Sequence, residues 1–212
     1  MAAGYDNTTW FYESLSKVVF GQAQVKAQEY FLNQIKPQSN LLIIGGGTGQ
    51  ILESINRLHH SGLNIAYVEI SPKMMALSRK RNIGQNKVEF ITDDIARITF
   101  THKFDVVITA FLFDNFSNDA LASIFPQIDK WVKQGGIWLN TDFQLTGPLW
   151  QKLMLKSMYL FFKLMKAVKV TKLPNTRKVF EQYGYHQTNE KLYYGSFIAA
   201  RVYTRSSRNL NC

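Results

Sequence analysis

Cysteine is all but missing from this 212-residue chain: there is one, Cys212, at the very end. A lone thiol cannot staple a fold or build a zinc centre, so a reducing compartment is expected. No run of about 18 uncharged apolar residues occurs, so no helix is expected to span a membrane. The opening MAAGYDNTTW has no basic residue and no apolar stretch of signal-peptide length. No export is therefore expected, and the expected location is cytoplasmic. The four histidines form no group with Asp, Glu or Cys at metal-ligand spacing, which sets metal-assisted chemistry aside. Acidic residues are scarce in one region only. Residues 151–212 hold 12 Lys and Arg against Glu181 and Glu190, whereas residues 1–150 balance 13 against 13. The whole formal excess of +10 therefore sits in the C-terminal segment. Such a face suits an acidic partner; a merely solvated basic surface is the plainer alternative.

What the chain does have is an alternation. Apolar residues make up 46% and charged residues 19%, a globular balance in a length sufficient for one well-buried domain. Helical spacing covers residues 8–36, interrupted at Gly21, and Pro37 with QSN breaks it. Then come a strand at 40–45, a helix at 48–60 stopped by Gly62, and a strand at 64–70. SPKMMALSRKRN follows as a helix, with Ser71 suited to cap it and Pro72 to open it. KVEFIT is a third strand, and the near-continuously apolar KFDVVITAF is a fourth, covered on both faces. NDALASIFPQIDKWVKQ is a helix in which Pro126 should produce a kink or move the start. GGIWLNTDF is a fifth strand. This rhythm builds right-handed βαβ units on a parallel sheet. After residue 148 it changes to helical segments at 149–168 and about 175–183, then two strands joined by a turn near Tyr194–Gly195. Successive strands with no helix between them cannot be parallel neighbours, so the sheet ends antiparallel. The expected fold is α/β, with a mostly parallel seven-stranded sheet and an antiparallel last strand.

Parallel sheets bind ligands beyond the carboxyl ends of their strands, at the switch point beside the first strand. Gly45, Gly46, Gly47, Thr48 and Gly49 fall there, directly after LLII. Glycine admits a sharp turn and a close approach, and the following helix offers unpaired N–H groups. Three consecutive glycines carry an entropic cost that a plain turn does not need, so a cofactor gap is the favoured reading. The dinucleotide fingerprint G-x-G-x-x-G fails at its third place, which is Gln50, with Gly49 one residue early. This disfavours an NAD-dependent enzyme and suits a nucleoside without a pyrophosphate. Glu69 ends the second strand, where a carboxylate can accept hydrogen bonds from both ribose hydroxyls.

In register, these segments resemble the class I S-adenosylmethionine-dependent methyltransferases. LLIIGGGTG resembles their glycine loop, and YVEIS, with Glu69 and Ile70, their ribose-binding strand end. VEFITDDI resembles the adenine-holding segment: Asp94 matches the acid that reaches the exocyclic amine, and Ile95 the neighbour that packs the ring. FDVVITAF resembles the fourth strand, whose end at Ala110 and Phe111 lies near the methionine part of the cofactor. The resemblance covers about residues 1–145 and the closing hairpin. It implies a Rossmann-like three-layer sandwich and S-adenosyl-L-methionine as cofactor. Within one domain it gives an N-terminal helical cap at 1–36 and a cofactor-binding core at 37–145. A basic amphipathic helical insert at 146–183 and a closing β-hairpin at 184–206 complete it. The family usually has an acid where Ile43 stands, and Asp93 beside Asp94 leaves their roles exchangeable. IIGGG also resembles the polyamine aminopropyltransferases, although AFLFDNF lacks their acid-rich segment. A non-catalytic cofactor-fold protein, acting at a membrane or in a complex, is a further alternative. GYDNTTWFYESLSKVVFG resembles the pre-sheet helices of ubiquinone/menaquinone-type methyltransferases, which implies that Tyr5, Trp10, Phe11 and Tyr12 exclude water from the reacting pair.

Methyl transfer from a sulfonium needs alignment more than acid–base chemistry, so no fixed catalytic motif is expected. Asp114, beyond the fourth strand, is the best-placed acid or base, with a plain loop carboxylate the stronger alternative. His59, His60 and His186 are given no role. Nucleic acid is disfavoured as a partner, because TAFLFDNF lacks the polar-Pro-Pro-aromatic run that packs a flipped base. In LWQKLMLKSMYLFFKLMKAV, Lys152, Lys156, Tyr159, Lys163 and Lys166 share an arc of roughly 80° at ~100° per residue, and apolar side chains fill most of the rest. Residues 150–169 therefore read as a peripheral membrane face, a greasy lid over the site, or a helix packed on two sides. The first two point to a small, lipophilic acceptor.

Overall fold

The structure is a computed structural model that describes residues 19–164, 170 and 172–205. The aromatic residues proposed above to exclude water, Tyr5 to Tyr12, and Lys166 lie outside the described residues. Seven strands form one sheet: β1 (Asn40–Ile44), β2 (Ser61–Val68), β3 (Gln85–Ile91), β4 (Phe104–Ala110), β5 (Val132–Phe143), β6 (Tyr185–Tyr193) and β7 (Ile198–Arg205). Their order is β3-β2-β1-β4-β5-β7-β6. The crossovers between β1 and β5 leave β2, β1, β4 and β5 in parallel pairs. The switch point lies between β1 and β4, where the chain leaves β1 toward β2 on one side and later returns on the other. β7 is antiparallel to both β5 and β6 and lies between them. The antiparallel strand is thus last in sequence but internal in the sheet. The edge falls to β6, whose polar YHQTNEKLY is mostly exposed, a composition that blunts edge pairing.

Among the described residues, α-helices flank the sheet at α1 (Ala23–Glu29), α2 (Gln50–Leu58), α3 (Pro72–Ser78), α4 (Asn118–Trp131), α5 (Leu149–Leu164) and α6 (Thr176–Gln182). Successive strand residues point to opposite faces, and the cores divide accordingly. Leu41, Ile43, Tyr67 and Ile108 join the core that holds α1, α2 and α5. Leu42, Ile44, Val68 and Val107 join the core that holds α4 and α6. This is the three-layer, Rossmann-like sandwich.

Local chemistry accounts for most boundaries and for the departures. Ser71 caps α3 by accepting from the Met74 N–H at 3.2 Å, with Pro72 at the first helical position. Gly62 does not stop a helix. It lies inside β2 at φ +89°, where the pairing with β3 shifts register, so the strand starts earlier than its apolar run. α4 ends at Trp131 rather than at 134, and β5 begins at Val132. Pro126 sits inside α4 without moving its start, which the Ser117 hydroxyl fixes by accepting from Ala120 N–H at 3.2 Å.

The second core closes on Phe180, the buried residue of α6. Its ring stacks on Tyr203 at 3.8 Å and meets Trp138 and Phe125 edge-on at 4.9 Å each. Phe180→Ala is expected to lower stability by about 3–5 kcal/mol in urea unfolding, with Phe180→Leu keeping most of it. A loss below about 1 kcal/mol would show that α6 is not anchored through this ring.

Candidate functional site

The glycine loop leaves β1 and enters α2 at the carboxyl edge of the sheet. Gly45 N–H donates to Val68 O at 2.9 Å, so the loop begins bonded to the end of β2. Two glycine positions have a direct steric reason. A Cβ on Gly46 would lie 2.3 Å from the Tyr67 ring. Gly47 has φ +62° and faces open space, since a Cβ there would meet no atom within 4 Å. The loop is therefore packed from below and open above, the shape of a cradle for a flat or extended ligand.

Glu69 organises the loop. It is 5% exposed. Its Oε2 accepts from Gly47 N–H at 2.9 Å and its Oε1 from Ser71 N–H at 2.8 Å. One carboxylate thus ties the glycine loop, the end of β2 and the start of α3 together. Tyr67, two residues earlier on the same strand face, donates its hydroxyl to Gly47 O at 3.0 Å. Burial, then the Glu69 charge, holds its phenol well above the ordinary tyrosine range. Arg81 adds an outer clamp, donating from Nε to Thr48 O at 2.9 Å. Thr48 and Gly49 are buried and Ile70 is half-buried beside them.

Asp94 lies at the end of β3 and is half-buried. Its carboxylate accepts from Ala96 N–H at 3.1 Å and caps the short turn that contains buried Ile95. Asp93 is differently engaged. It accepts from Asp94 N–H at 2.7 Å and pairs with Arg97, and the first of these bonds, then the second, holds its carboxyl below the usual range. That pairing leaves the two aspartates in distinct environments. Ala110 ends β4, and Phe111 follows with φ +50°, a conformation rarely adopted by a bulky side chain. Its N–H bonds Thr141 O at 2.7 Å, and its ring lies 4.9 Å from Phe143. Strain of this kind clusters at functional sites. The structure thus lines up the sequence-identified residues along the carboxyl ends of β1, β2, β3 and β4. The sheet's amino edge, by contrast, carries a shallow cavity of about 340 Å³ lined by Asn40, Asn64, Lys87 and His102, and none of these residues belongs to the site.

Beyond β4 the site continues in a feature that sequence reading only half found. Asp114 is buried with Asp142, from the end of β5. Asp142 accepts from Phe113 N–H at 3.2 Å and from Phe143 N–H at 3.0 Å, so it fixes the loop after β4. The Tyr159 hydroxyl, from α5, donates to Asp114 O at 3.2 Å. Burial pushes the Asp114 carboxyl up to about 7. Burial and then the neighbouring Asp114 charge push Asp142 well above the carboxylate range. Such a pair holds a proton near neutral pH and can exchange it with a bound group. Asp142 carried the same signal as Glu69, an acid ending an apolar strand. Tyr159 and Arg81 carried none, because their partners are distant in the chain. His60 is bonded to Asn56 and His186 to Thr204, both away from these residues.

Residues 41–136 match the family profile described as a methyltransferase domain. Malonyl-acyl-carrier-protein O-methyltransferase 2 of Ilyobacter polytropus is 28% identical over 53% of this chain and 42% of its own length. Ubiquinone/menaquinone biosynthesis C-methyltransferase UbiE of Wigglesworthia glossinidia brevipalpis is 28% identical over 73% of this chain and 62% of its own. The chain thus spans about half the length of these curated relatives. The fold is shared with the DhpI–SAH complex at a TM-score of 0.67 and 15% identity, over 96% of this chain and 94% of that one. Residues 41–136 are thus similar to a methyltransferase domain, and the whole described sheet is similar in fold to a structure holding S-adenosylhomocysteine.

The Asp114 carboxyl is raised above its unfolded value. Its stabilising protonation is therefore complete below pH ~4 and lost as pH rises through about 7. Asp114→Asn, which keeps the oxygen that accepts from Asn115, should gain roughly 2–3 kcal/mol more over the parent at pH 8 than at pH 5. Urea unfolding at the two pH values measures this, and an equal effect at both would contradict the assignment.

Proposed function

We infer that the chain transfers a methyl group from S-adenosyl-L-methionine to a small lipophilic acceptor. The observation that carries the cofactor half is the Gly47–Glu69 bond above the Tyr67 ring. It presents an open glycine edge and a buried carboxylate side by side, which fits a ribose. On this reading Gly45, Gly46, Gly47, Thr48 and Gly49 form the floor for the amino acid end, in place of the acid absent at Ile43. Glu69, with Ile70, takes the ribose hydroxyls. Asp94 and Ile95 take the adenine, since Asp93 is already committed to Arg97. Ala110 and Phe111 border the reacting end. Glu69 would serve loop and ribose with one carboxylate, which couples loop order to cofactor binding.

The cofactor supplies a methyl group already activated as a sulfonium substituent. The chain's own task is to hold the acceptor in line and keep water out. An aromatic wall supports a lipophilic acceptor. Phe111, Phe143, Phe197 and Phe20 lie ring to ring at 4.9 to 5.4 Å, joined by Tyr194 and Trp150. Met154 and Met158 from α5 pack on the same core, and methionine adapts to irregular ligands. The curated relative named for ubiquinone and menaquinone biosynthesis supports the same acceptor class. Asp114 is the proton acceptor for an acceptor that must lose one, because its carboxyl titrates near neutral pH. In this reading residues 37–145 are the cofactor core, 146–183 the acceptor roof and 184–206 the strand pair that closes the sheet.

Calorimetric titration with S-adenosylhomocysteine tests the cofactor half. Binding in the roughly micromolar range is expected, weakened at least about tenfold by Glu69→Ala and by Gly46→Ala, whose new Cβ would displace the Tyr67 ring. Folded protein that binds decarboxylated S-adenosylmethionine or NAD but not this product would overturn it.

A further inference from the structure

Two polar anchors set the rotation of α5. At its first turn, Gln151 is fully buried, donating to Gly195 O at 2.9 Å and accepting from Thr146 N–H at 2.7 Å. Two turns on, Tyr159 is buried against Asp114 O. Gln151, Leu155 and Tyr159, spaced by four, therefore face the protein. With that face fixed, the opposite one is forced outward. It carries Leu149 at 75% exposure, Leu153 at 68% and Leu160 at 59%. At ~100° per residue these leucines share an arc of roughly 40°, and Lys152, Lys156 and Lys163, all exposed, fill the adjoining one. The helix has no Asp or Glu, and among the described residues none of the three lysines has an ion-pair partner. Trp150, 41% exposed, borders the leucines on the other side.

We propose that the outer face of α5 lies on an anionic lipid bilayer, with the leucines in the acyl boundary and the lysines at the headgroups. Three leucines beside three unpaired lysines are the pattern of a helix in the interface plane, where long lysine stems lie along the apolar zone and their charges reach anions. Protein interfaces enrich arginine and aromatics at their centre and deplete lysine, the reverse of this face. A second copy docking antiparallel on the leucines by two-fold symmetry would set lysines against lysines. Nucleic acid would leave the leucines unburied against phosphate. The C-terminal location of the whole positive excess fits the same anionic surface. Among the described residues no helix is long and apolar enough to cross a membrane. This surface stands without the methyl-transfer reading and extends it, because the inner side of the same helix meets Asp114 and the aromatic wall. A lipophilic acceptor would then reach the site from the bilayer.

The test is cosedimentation of the full chain with phosphatidylglycerol–phosphatidylcholine vesicles and with phosphatidylcholine alone. Binding to the anionic vesicles only is expected, falling about tenfold or more between about 0.1 and 0.5 M salt. The triple change Leu149→Ser, Leu153→Ser, Leu160→Ser should weaken it at least about tenfold, as should Lys152→Glu, Lys156→Glu, Lys163→Glu. Lys80→Glu with Lys87→Glu, on the far side of the sheet order, should leave binding intact. S-adenosylhomocysteine affinity and melting temperature, unchanged in the α5 variants, keep this test separate from folding and from the cofactor reading. No sedimentation with anionic vesicles would overturn the proposal. So would equal binding by the leucine variant, or a self-association or capture by an acidic protein that the leucine variant abolishes while vesicle binding persists.

Discussion

A buried carboxylate must have hydrogen-bond donors, and Glu69 finds them in backbone N–H groups on both sides of it. That requirement organises the site. Because its two oxygens bond Gly47 and Ser71, the end of β2 cannot move without carrying the glycine loop and the start of α3. Tyr67 beneath the loop works in the same direction, bonding the loop's carbonyl while its ring denies Gly46 a side chain. The flexibility of GGGTG is thereby spent on shape and not on motion.

The end of β5 repeats the device. Asp142, at the end of β5, accepts from Phe113 and Phe143 N–H groups and pins the loop after β4. The difference lies in the neighbour. Asp142 shares its site with Asp114, so both carboxyls are raised, and the loop it holds carries a group able to exchange a proton. The same principle, a strand-end acid bonded to backbone, gives a fixed loop at β2 and a titrating one beyond β4.

α5 connects the Asp114 loop with the outer surface. Its inner side completes the surroundings of Asp114 through Tyr159, and its outer side carries the leucines and lysines. A wide apolar helix read from sequence as membrane face, lid or doubly packed core resolves into one buried strip and one exposed strip. Gln151 and Tyr159 fix the rotation of the buried strip through their hydrogen bonds, and Met154 and Met158 extend it along the core.

The sequence by itself determined the alternation of strands and helices, the position of the glycine loop at Gly45–Gly49, and the strand-end acid Glu69, because each depends on residues close in the chain. Periodicity, capping by Ser71 and glycine spacing are local properties. It misplaced Gly62 and the end of α4, where sheet register decided the boundary over local propensity. Only the tertiary structure decided that Asp142 meets Asp114, that Arg81 clamps Thr48, that Phe111 takes a left-handed backbone, and which face of α5 is turned outward. Each of these depends on contacts between elements far apart in sequence, and no spacing rule encodes which distant partner satisfies a buried polar group.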